Sequence, residues 1–208
     1  MNFPKQLRML LAEEKTLLLP GSYDALSAKV LKQAGFKAIY MTGSGVTFSL
    51  TGMPDVGILS MMEMVNQARN IVNAVDLPLI CDADNGYGNP INVMRTVKEY
   101  ERAGVAGIHI EDQVAPKRCG HFDGKQIVPS KEMVKKVEAA RYAREDDNSL
   151  LIARTDARSI DGLNESIARA QMYFEAGADM IFVESPRSEE ELEIISKELS
   201  GVPLLVNM

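Results

Sequence analysis

The stretch NPINVMRTVKEYERAGVAGIHIED, residues 89–112, contains one complete helix-to-strand step of the chain. Its first part has apolar residues at three- and four-residue spacing, which predicts a helix over 89–104. The helix should end at Gly104, because a left-handed residue costs least at glycine. The apolar run 106–112 then predicts a buried strand that ends in Glu111 and Asp112.

The same pattern repeats along the chain. Short, uniformly apolar runs predict seven parallel strands that are covered on both faces. They lie at 16–20, 37–42, 77–84, 106–112, 149–156, 179–185 and 202–208. Helices are predicted over 22–35, 89–104 and 163–177, each ending in a glycine (Gly35, Gly104 and Gly177), and over 60–70 and 188–200. The fold class is therefore α/β, as a (β/α)8 TIM-type barrel or an open doubly wound sheet.

Length and composition limit the extent of the barrel and the classes of function that the chain can have. A complete barrel takes about 250 residues, whereas this chain has 208 and stops in its seventh apolar run. We therefore expect one barrel domain over 1–208 that covers strands 1–7 and is truncated before the eighth unit. A net charge of -6 argues against a nucleic-acid surface. No apolar stretch approaches the ~18 residues of a membrane span, and two cysteines suit a reducing cytoplasm.

Polar residues follow almost every predicted strand, at the end where barrel enzymes carry their active sites. They are Tyr40, Thr42, Gly43, Ser44, Asp82, Asp84, Glu111, Arg154, Glu184 and Asn207. Alternation along a strand places Asp82 and Asp84 on one side of the backbone. With Glu111 they offer the hard oxygen ligands that Mg²⁺ prefers, although each carboxylate taken singly could instead cap a helix. Gly43 and Gly45 could bring backbone N–H groups up to an anion.

Cys119 lies in the segment KRCGH, residues 117–121. The positive charges of Lys117, Arg118 and His121 favour a thiol that can act as an acid or a nucleophile. The second cysteine, Cys81, is expected to fill the core. His109 is interpreted as a satisfied barrel histidine rather than a ligand.

Five motifs together resemble the isocitrate lyase/phosphoenolpyruvate mutase superfamily. They are DADNGYGN (82–89), HIEDQ (109–113), KRCGH (117–121), ARTDA (153–157) and FVES (182–185). The cysteine motif is similar to that of the lyase branch, which includes the 2-methylisocitrate and 2,3-dimethylmalate lyases. The phosphonate mutases and hydrolases of the superfamily lack this cysteine.

The resemblance implies a (β/α)8 barrel that cleaves a 2-hydroxy di- or tricarboxylate into pyruvate and an acid such as succinate. It implies Mg²⁺, with Mn²⁺ as the alternative ion, held by Asp82, Asp84 and Glu111. Cys119 would be the general acid, Tyr40 the base, and Arg154 a partner for a carboxylate. Substrate contacts are expected from Thr42, Gly43, Ser44, Asp82, Gly120, His121, Arg154, Glu184 and Asn207. Thr42 and Ser44 depart from the family's Ser-Gly-Gly or Ser-Gly-Ala. A cytoplasmic homotetramer is also expected.

Other functions remain open at this point. The same scaffold could hydrolyse or decarboxylate oxaloacetate, or catalyse phosphonate chemistry of the carboxyphosphonoenolpyruvate type. A non-enzymatic binding role would not need the full set of rim carboxylates, arginine and cysteine. A Schiff-base aldolase would need a lysine in a strand, and only Lys37, at a strand entrance, is available.

Overall fold

Seven parallel strands form one sheet in the order in which they occur in the chain. The computed structural model describes residues 2–120 and 122–207. The strands are β1 (Gly21–Ser22), β2 (Ile39–Met41), β3 (Leu79–Asp82), β4 (Gly107–Glu111), β5 (Leu150–Thr155), β6 (Met180–Val183) and β7 (Leu204–Leu205). The predicted α/β class with parallel strands is confirmed.

Eight α-helices accompany these strands in the described residues. They are α1 (Phe3–Glu13), α2 (Ala25–Gln33), α3 (Gly43–Thr51), α4 (Met61–Ala74), α5 (Pro90–Ala103), α6 (Ser130–Ala143), α7 (Leu163–Glu175) and α8 (Glu189–Glu198). The predicted glycine ends of α2, α5 and α7 are confirmed, since Gly35, Gly104 and Gly177 have φ of 89°, 86° and 112°. No helix among the described residues is both long and apolar enough to cross a membrane.

The first predicted strand is wrong in position. Residues 16–20 lie outside any strand, and pairing with β2 begins only where Tyr40 N–H donates to the Pro20 carbonyl, at 3.0 Å. The apolarity of the run has another cause, because Leu17 and Leu19 pack against a core cluster rather than forming a ladder. The other strands are shorter than their apolar runs, so that Asp84, Asp112 and Glu184 lie just beyond strand ends.

The two faces of the sheet have separate cores. On one face, side chains such as Met41, Cys81 and Ile110 pack against the helices. On the other, Ile80 of β3 and Phe182 of β6 share one cluster with Leu7 of α1, although β3 and β6 are not neighbours. The sheet must therefore curl, so that strands far apart in the order face each other across an inner space.

The inner face changes character along the strands. Near the amino ends it is apolar and is covered by α1 through Leu7, Leu10 and Leu11. Towards the carboxyl ends, the alternating inner positions become polar: Asp82 follows Ile80, and Arg154 follows Ile152. This half of the inner face carries the candidate site.

The carboxylate of Asp112 ties the outer side of β4 to β5 and α7. Its Oδ1 accepts the Asp156 N–H at 2.9 Å, and its Oδ2 accepts the hydroxyls of Thr155 and Tyr173, each at 2.8 Å. Arg169 Nη1 lies 3.3 Å from the same Oδ2. Burial raises the pKa of Asp112, and these donors oppose that rise. The network compensates for a fully buried charge.

We predict that Tyr173→Phe lowers the free energy of unfolding by about 1–2 kcal/mol, because it removes a hydroxyl that bonds both Asp112 and Arg169. Urea unfolding followed by circular dichroism measures this. Tyr142 is 81% exposed, so Tyr142→Phe is the matched control and should have little effect. Equal midpoints for the two variants would contradict the prediction.

Candidate active site

Charged side chains of both signs are buried together at the carboxyl ends of the strands. The carboxyl groups are Asp55, Asp82, Asp84, Glu111, Asp156 and Glu184, and the cationic groups are Lys117, Lys125 and Arg154. In the strand register, Asp82 lies beside His109, and Glu111 lies beside Arg154. The carboxyl groups outnumber the cations, and buried charge of one sign is costly. The site therefore suits a further cation.

The carboxylate of Asp82 is held by backbone N–H groups. Asp82 Oδ1 accepts the Asp84 N–H at 2.9 Å, and its Oδ2 accepts the Gly43 N–H at 3.3 Å. Burial would raise the pKa of Asp82, but neighbouring His109, Lys117 and Arg154 hold it below its usual range. For Asp84, burial is the larger effect and raises the pKa to about 6.

Glu111 has one oxygen without a partner among the described residues. Its Oε2 lies 3.5 Å from Arg154 Nε, whereas its buried Oε1 has no hydrogen bond. Burial raises the pKa of Glu111 well above its usual value. An unpaired, buried carboxyl oxygen is an acceptor that an added cation or a protonated ligand would satisfy.

Lys117 links two carboxylates. Its Nζ lies 2.6 Å from Asp55 Oδ2 and 2.6 Å from Asp84 Oδ1, and its side chain is 4% exposed. Burial lowers the pKa of Lys117, but Asp84 and the other carboxylates raise it well above normal overall. The sequence-based interpretation, in which Lys117 acts as a charge beside Cys119, is therefore incomplete, because its charge pairs with these two carboxylates.

Arg154 is paired with three buried carboxyl groups. Its Nε and Nη2 each bond Asp156 at 3.0 Å, and its Nη1 lies 3.4 Å from Glu184 Oε2. The guanidinium lies over the Phe182 ring, 5.2 Å from the centroid. Burial opposes the charge, but the carboxylates keep the pKa of Arg154 well above its ordinary value. The guanidinium is therefore both charged and fixed in orientation.

The half-buried Tyr40 and the buried His109 form a pair. The Tyr40 hydroxyl is in short contact with His109 Nδ1, and His109 Nε2 lies 3.4 Å from Asp82 Oδ1. Burial lowers the pKa of His109 to about 4, so the ring is neutral at pH 7, and burial raises the pKa of Tyr40 well above 10. His109 thus lines the site, whereas the sequence suggested only a core role.

Cys119 and Gly120 lie on an excursion between β4 and α6. The Cys119 N–H donates to the Asp55 carbonyl at 3.0 Å. A methyl group placed on Gly120 would overlap Arg154 Nη2 and lie 2.8 Å from Glu184 Oε1. Glycine allows this close approach, and the segment therefore covers the Arg154 pocket. His121, the next predicted substrate contact, lies outside the described residues.

The Thr42-Gly43-Ser44 stretch begins helix α3. Thr42 caps the helix, because its hydroxyl oxygen accepts the Gly45 N–H at 3.3 Å. The Gly43 N–H, expected to face an anionic ligand, donates to Asp82 instead. A Cβ on Gly43 would lie 2.5 Å from Asp82 Oδ2, so glycine is required for this close approach.

Glu184 and Asn207 line a cavity of about 530 Å³ together with Gly120 and Lys125. Glu184 is buried, and its Oε2 has no hydrogen bond among the described residues. Asn207 is exposed at the mouth of this cavity. A separate cavity of about 430 Å³ is lined by Lys117 and Asp84, among others.

The three predicted metal ligands are close to one another but do not form a preformed cage. Among the described residues, no three His, Cys, Asp or Glu side chains are arranged to hold a metal ion. Mg²⁺ commonly takes only one or two carboxylates directly and keeps several waters. The unpaired Glu111 oxygen and the excess of carboxylates therefore fit such an ion.

Sequence reasoning missed four members of this site: Asp55, His109, Lys125 and Asp156. Asp55 and Lys125 lie in irregular segments, and 62 positions separate Asp55 from its partner Lys117. No local pattern predicts such a contact. Asp156 carried a signal, since it follows the same strand as Arg154, but its pairing with that arginine needed the structure.

We predict that Lys117→Met lowers the free energy of unfolding by about 3–5 kcal/mol, because it leaves two buried carboxylates without their cation. Urea unfolding at pH 7 without divalent ions measures this. Lys131→Met, at an exposed position of α6, is the control and should change stability little. Equal stability of the two variants would mean that Asp55 and Asp84 do not depend on Lys117.

Comparisons of the sequence with known proteins agree with this geometry. The sequence profile of the phosphoenolpyruvate phosphomutase family matches residues 7–208. The chain is 50% identical to 2,3-dimethylmalate lyase of Eubacterium barkeri over 98% of this chain and 71% of that relative. It is 45% identical to 2-methylisocitrate lyase of Halalkalibacterium halodurans over 97% of this chain and 66% of that relative. It therefore spans about two thirds of the length of these relatives.

Solved structures give the same result. A crystal structure of 2,3-dimethylmalate lyase superposes with a TM-score of 0.96 at 43% identity, covering 100% of this chain and 70% of the other. Oxaloacetate acetylhydrolase with 3,3-difluorooxalacetate gives 0.95 at 42%, covering 99% and 71%. Phosphonopyruvate hydrolase with oxalate and Mg²⁺ gives 0.90 at 35%, covering 99% and 72%. The chain belongs to the phosphoenolpyruvate mutase/isocitrate lyase superfamily of enzymes.

Proposed function

We propose that this protein is a carbon–carbon lyase that cleaves a 2-hydroxy di- or tricarboxylate into pyruvate and a second carboxylic acid. One observation carries the proposal: the Cys119–Gly120 segment covers a buried pocket in which Arg154 is paired with carboxylates. A proton donor above a carboxylate-binding cation is what such a cleavage needs. The names of the relatives favour 2-methylisocitrate or 2,3-dimethylmalate as the type of substrate.

In this proposal the substrate lies between Arg154 and the start of α3. Arg154 pairs with a substrate carboxylate, while Thr42 and Ser44 offer hydroxyl groups at the rim. Asp82, Gly43, Gly120, Glu184 and Asn207 complete the contacts, together with His121. Glu184 Oε2 has no hydrogen bond among the described residues and could accept one from the substrate.

Asp82, Asp84 and Glu111 would hold Mg²⁺, directly or through water, with Mn²⁺ as the alternative ion. When bound, Mg²⁺ would lower the pKa of the substrate hydroxyl and offset the excess of buried carboxylates. Support comes from the unpaired oxygen of Glu111 and from the Mg²⁺ in the related phosphonopyruvate hydrolase structure.

The side chains of this protein would then handle two protons. Tyr40 accepts the proton of the substrate hydroxyl at Oη, while its own proton moves to Nδ1 of the neutral His109. The carbon–carbon bond breaks, its electron pair stays with the departing carboxylic fragment, and the carbonyl of pyruvate forms. Cys119 Sγ gives its proton to that fragment, and Arg154 stabilises the negative charge that develops.

Hydrolysis of oxaloacetate is the second candidate. The related oxaloacetate acetylhydrolase superposes almost as well as the dimethylmalate lyase. The KRCGH segment does not separate the two reactions, whereas it argues against decarboxylases and phosphonate mutases.

We also propose that the curled sheet is part of a (β/α)8 barrel and that an eighth unit completes it. Strands β1 and β7 are the edges of the described sheet, and the relatives are longer than this chain. The homotetramer and the cytoplasmic location stay predictions from the sequence.

We predict release of pyruvate from 2-methylisocitrate or 2,3-dimethylmalate in the presence of Mg²⁺, measured with a coupled lactate dehydrogenase assay. Cys119→Ser should reduce the rate by about 10²–10⁴-fold, because a general acid contributes that much. Oxaloacetate is tested in parallel.

Formation of oxalate and acetate from oxaloacetate, without pyruvate from the other two substrates, would replace the lyase by the hydrolase. A Cys119→Ser variant with full activity would exclude the thiol as the acid. Absence of turnover with all three compounds would refute the proposed substrate class.

We predict that Glu111→Gln and Asp84→Asn weaken the binding of Mn²⁺ by at least about tenfold, because each removes a charged oxygen donor. Electron paramagnetic resonance of free Mn²⁺ measures binding without any turnover. Asp123→Asn, at an exposed position of the excursion, should leave binding unchanged. Equal affinities for all four proteins would show that the ion is held elsewhere.

A further inference from the structure

The segment that carries Cys119 is fixed firmly at its base. The Gln113 and Ile127 backbones form an antiparallel bridge, and the Val114 N–H donates to the Gln126 carbonyl at 2.9 Å. The Val128 N–H donates to the Asp112 carbonyl at 2.8 Å. The two ends of the excursion are thus paired with each other just beyond the end of β4.

Lys125 lies next to this base and points into the site. Its side chain is 3% exposed, and its Nζ lies 3.1 Å from Asp156 Oδ1. The same Nζ donates to the carbonyl of Gly120, which also accepts the Ser185 hydroxyl at 3.3 Å. The buried Lys125 Nζ thus connects Asp156 to Gly120, the residue after Cys119.

Asp156, the ion-pair partner of Lys125, is itself held in place by the sheet. Its carboxylate takes both Nε and Nη2 of Arg154, and its backbone N–H donates to Asp112. Burial would raise the pKa of Asp156, but Arg154 and Lys125 hold it below its usual range. The carboxylate is therefore charged, and one aspartate positions both Arg154 and Lys125.

We propose that Lys125 is a positioning residue that keeps the Cys119–Gly120 segment over the Arg154 pocket by binding the Gly120 carbonyl. The Lys125 Nζ is held in place by Asp156 and by the nearby backbone bridge between Gln113 and Ile127. The Gly120 carbonyl therefore binds a donor whose position is already fixed. Charge-assisted hydrogen bonds of this kind are stronger than neutral ones. On the other side the segment is tied through the Cys119 N–H and through Lys117. The positioning role in catalysis rests on the proposed lyase function, whereas the docking itself does not.

The first test measures how fast iodoacetamide alkylates Cys119 in the protein without substrate. Cys81 is fully buried, so modification of the folded protein is confined to Cys119, and Cys119→Ser gives the background. Lys125→Met should raise the rate by about tenfold, the effect of losing one hydrogen bond to a charged group. Lys131→Met should match the wild type. An unchanged rate in Lys125→Met would overturn the proposal.

A second variant separates docking from general damage. In Lys125→Ala, methylammonium ions should fill the vacated space and slow alkylation again, whereas tetramethylammonium ions, which lack N–H donors, should not. Peptide mapping shows whether Cys81 is modified, which would report unfolding. If Lys125→Met unfolds in this way, Lys125→Arg, which keeps a charged donor, decides: a wild-type alkylation rate supports docking, and a raised rate with Cys81 still protected overturns it.

The kinetic test uses the substrate that the wild-type protein cleaves. Lys125→Met should lower kcat by about tenfold or more with little change in KM, because Arg154 keeps both of its bonds to Asp156. If the wild type cleaves no such substrate but alkylation behaves as expected, the lyase function fails and the docking role stands. If the wild type is active and Lys125→Met matches it in kcat and in alkylation, the role of Lys125 fails alone.

Discussion

The burial of the Arg154 guanidinium is the constraint on which the site depends. A charge at that depth is stable only when carboxylates surround it, and here Asp156, Glu111 and Glu184 do so. Because Arg154 and Glu111 are register partners on adjacent strands, this pairing also fixes how β4 and β5 meet. The arrangement of the site and the pairing of the strands therefore depend on the same residues. The carboxylates that exceed the buried cations leave the site prepared for positive charge from outside the chain.

The two ends of the curled sheet have different roles, one in stability and the other in the candidate site. The amino half of the inner face is closed by α1 and is apolar, so it supplies the stability that a polar cluster costs. The carboxyl half is left to loops, and each loop contributes through backbone geometry as well as side chains. Gly43 and Gly120 show this, since both allow a close approach to a charged side chain that any Cβ would block. Relatives with different reactions can share this frame because chemistry is confined to that end.

The sequence predicted most of the inner face but little of the loops, and the reason is physical. Alternation has period two, so the apolar runs located Asp82, Glu111 and Arg154 correctly on successive strands. No local pattern predicted that Lys117 would pair with Asp55, since that contact joins distant irregular segments. The first strand was misplaced because Leu17 and Leu19 are apolar for packing rather than for pairing. The roles assigned to the site residues stay predictions.

The antiparallel bridge between Gln113 and Ile127 affects the entropy that is lost when the excursion is fixed. It closes a short loop, and the entropy lost on fixing such a loop grows only with the logarithm of its length. Because the bridge ties the base of the excursion, a local opening of the described residues beyond it would leave the sheet intact. A change within residues 115–120 or 122–125 would then alter the rate of such an opening rather than the stability of the sheet. Substitutions in this segment could then change the rate of opening without changing the fold.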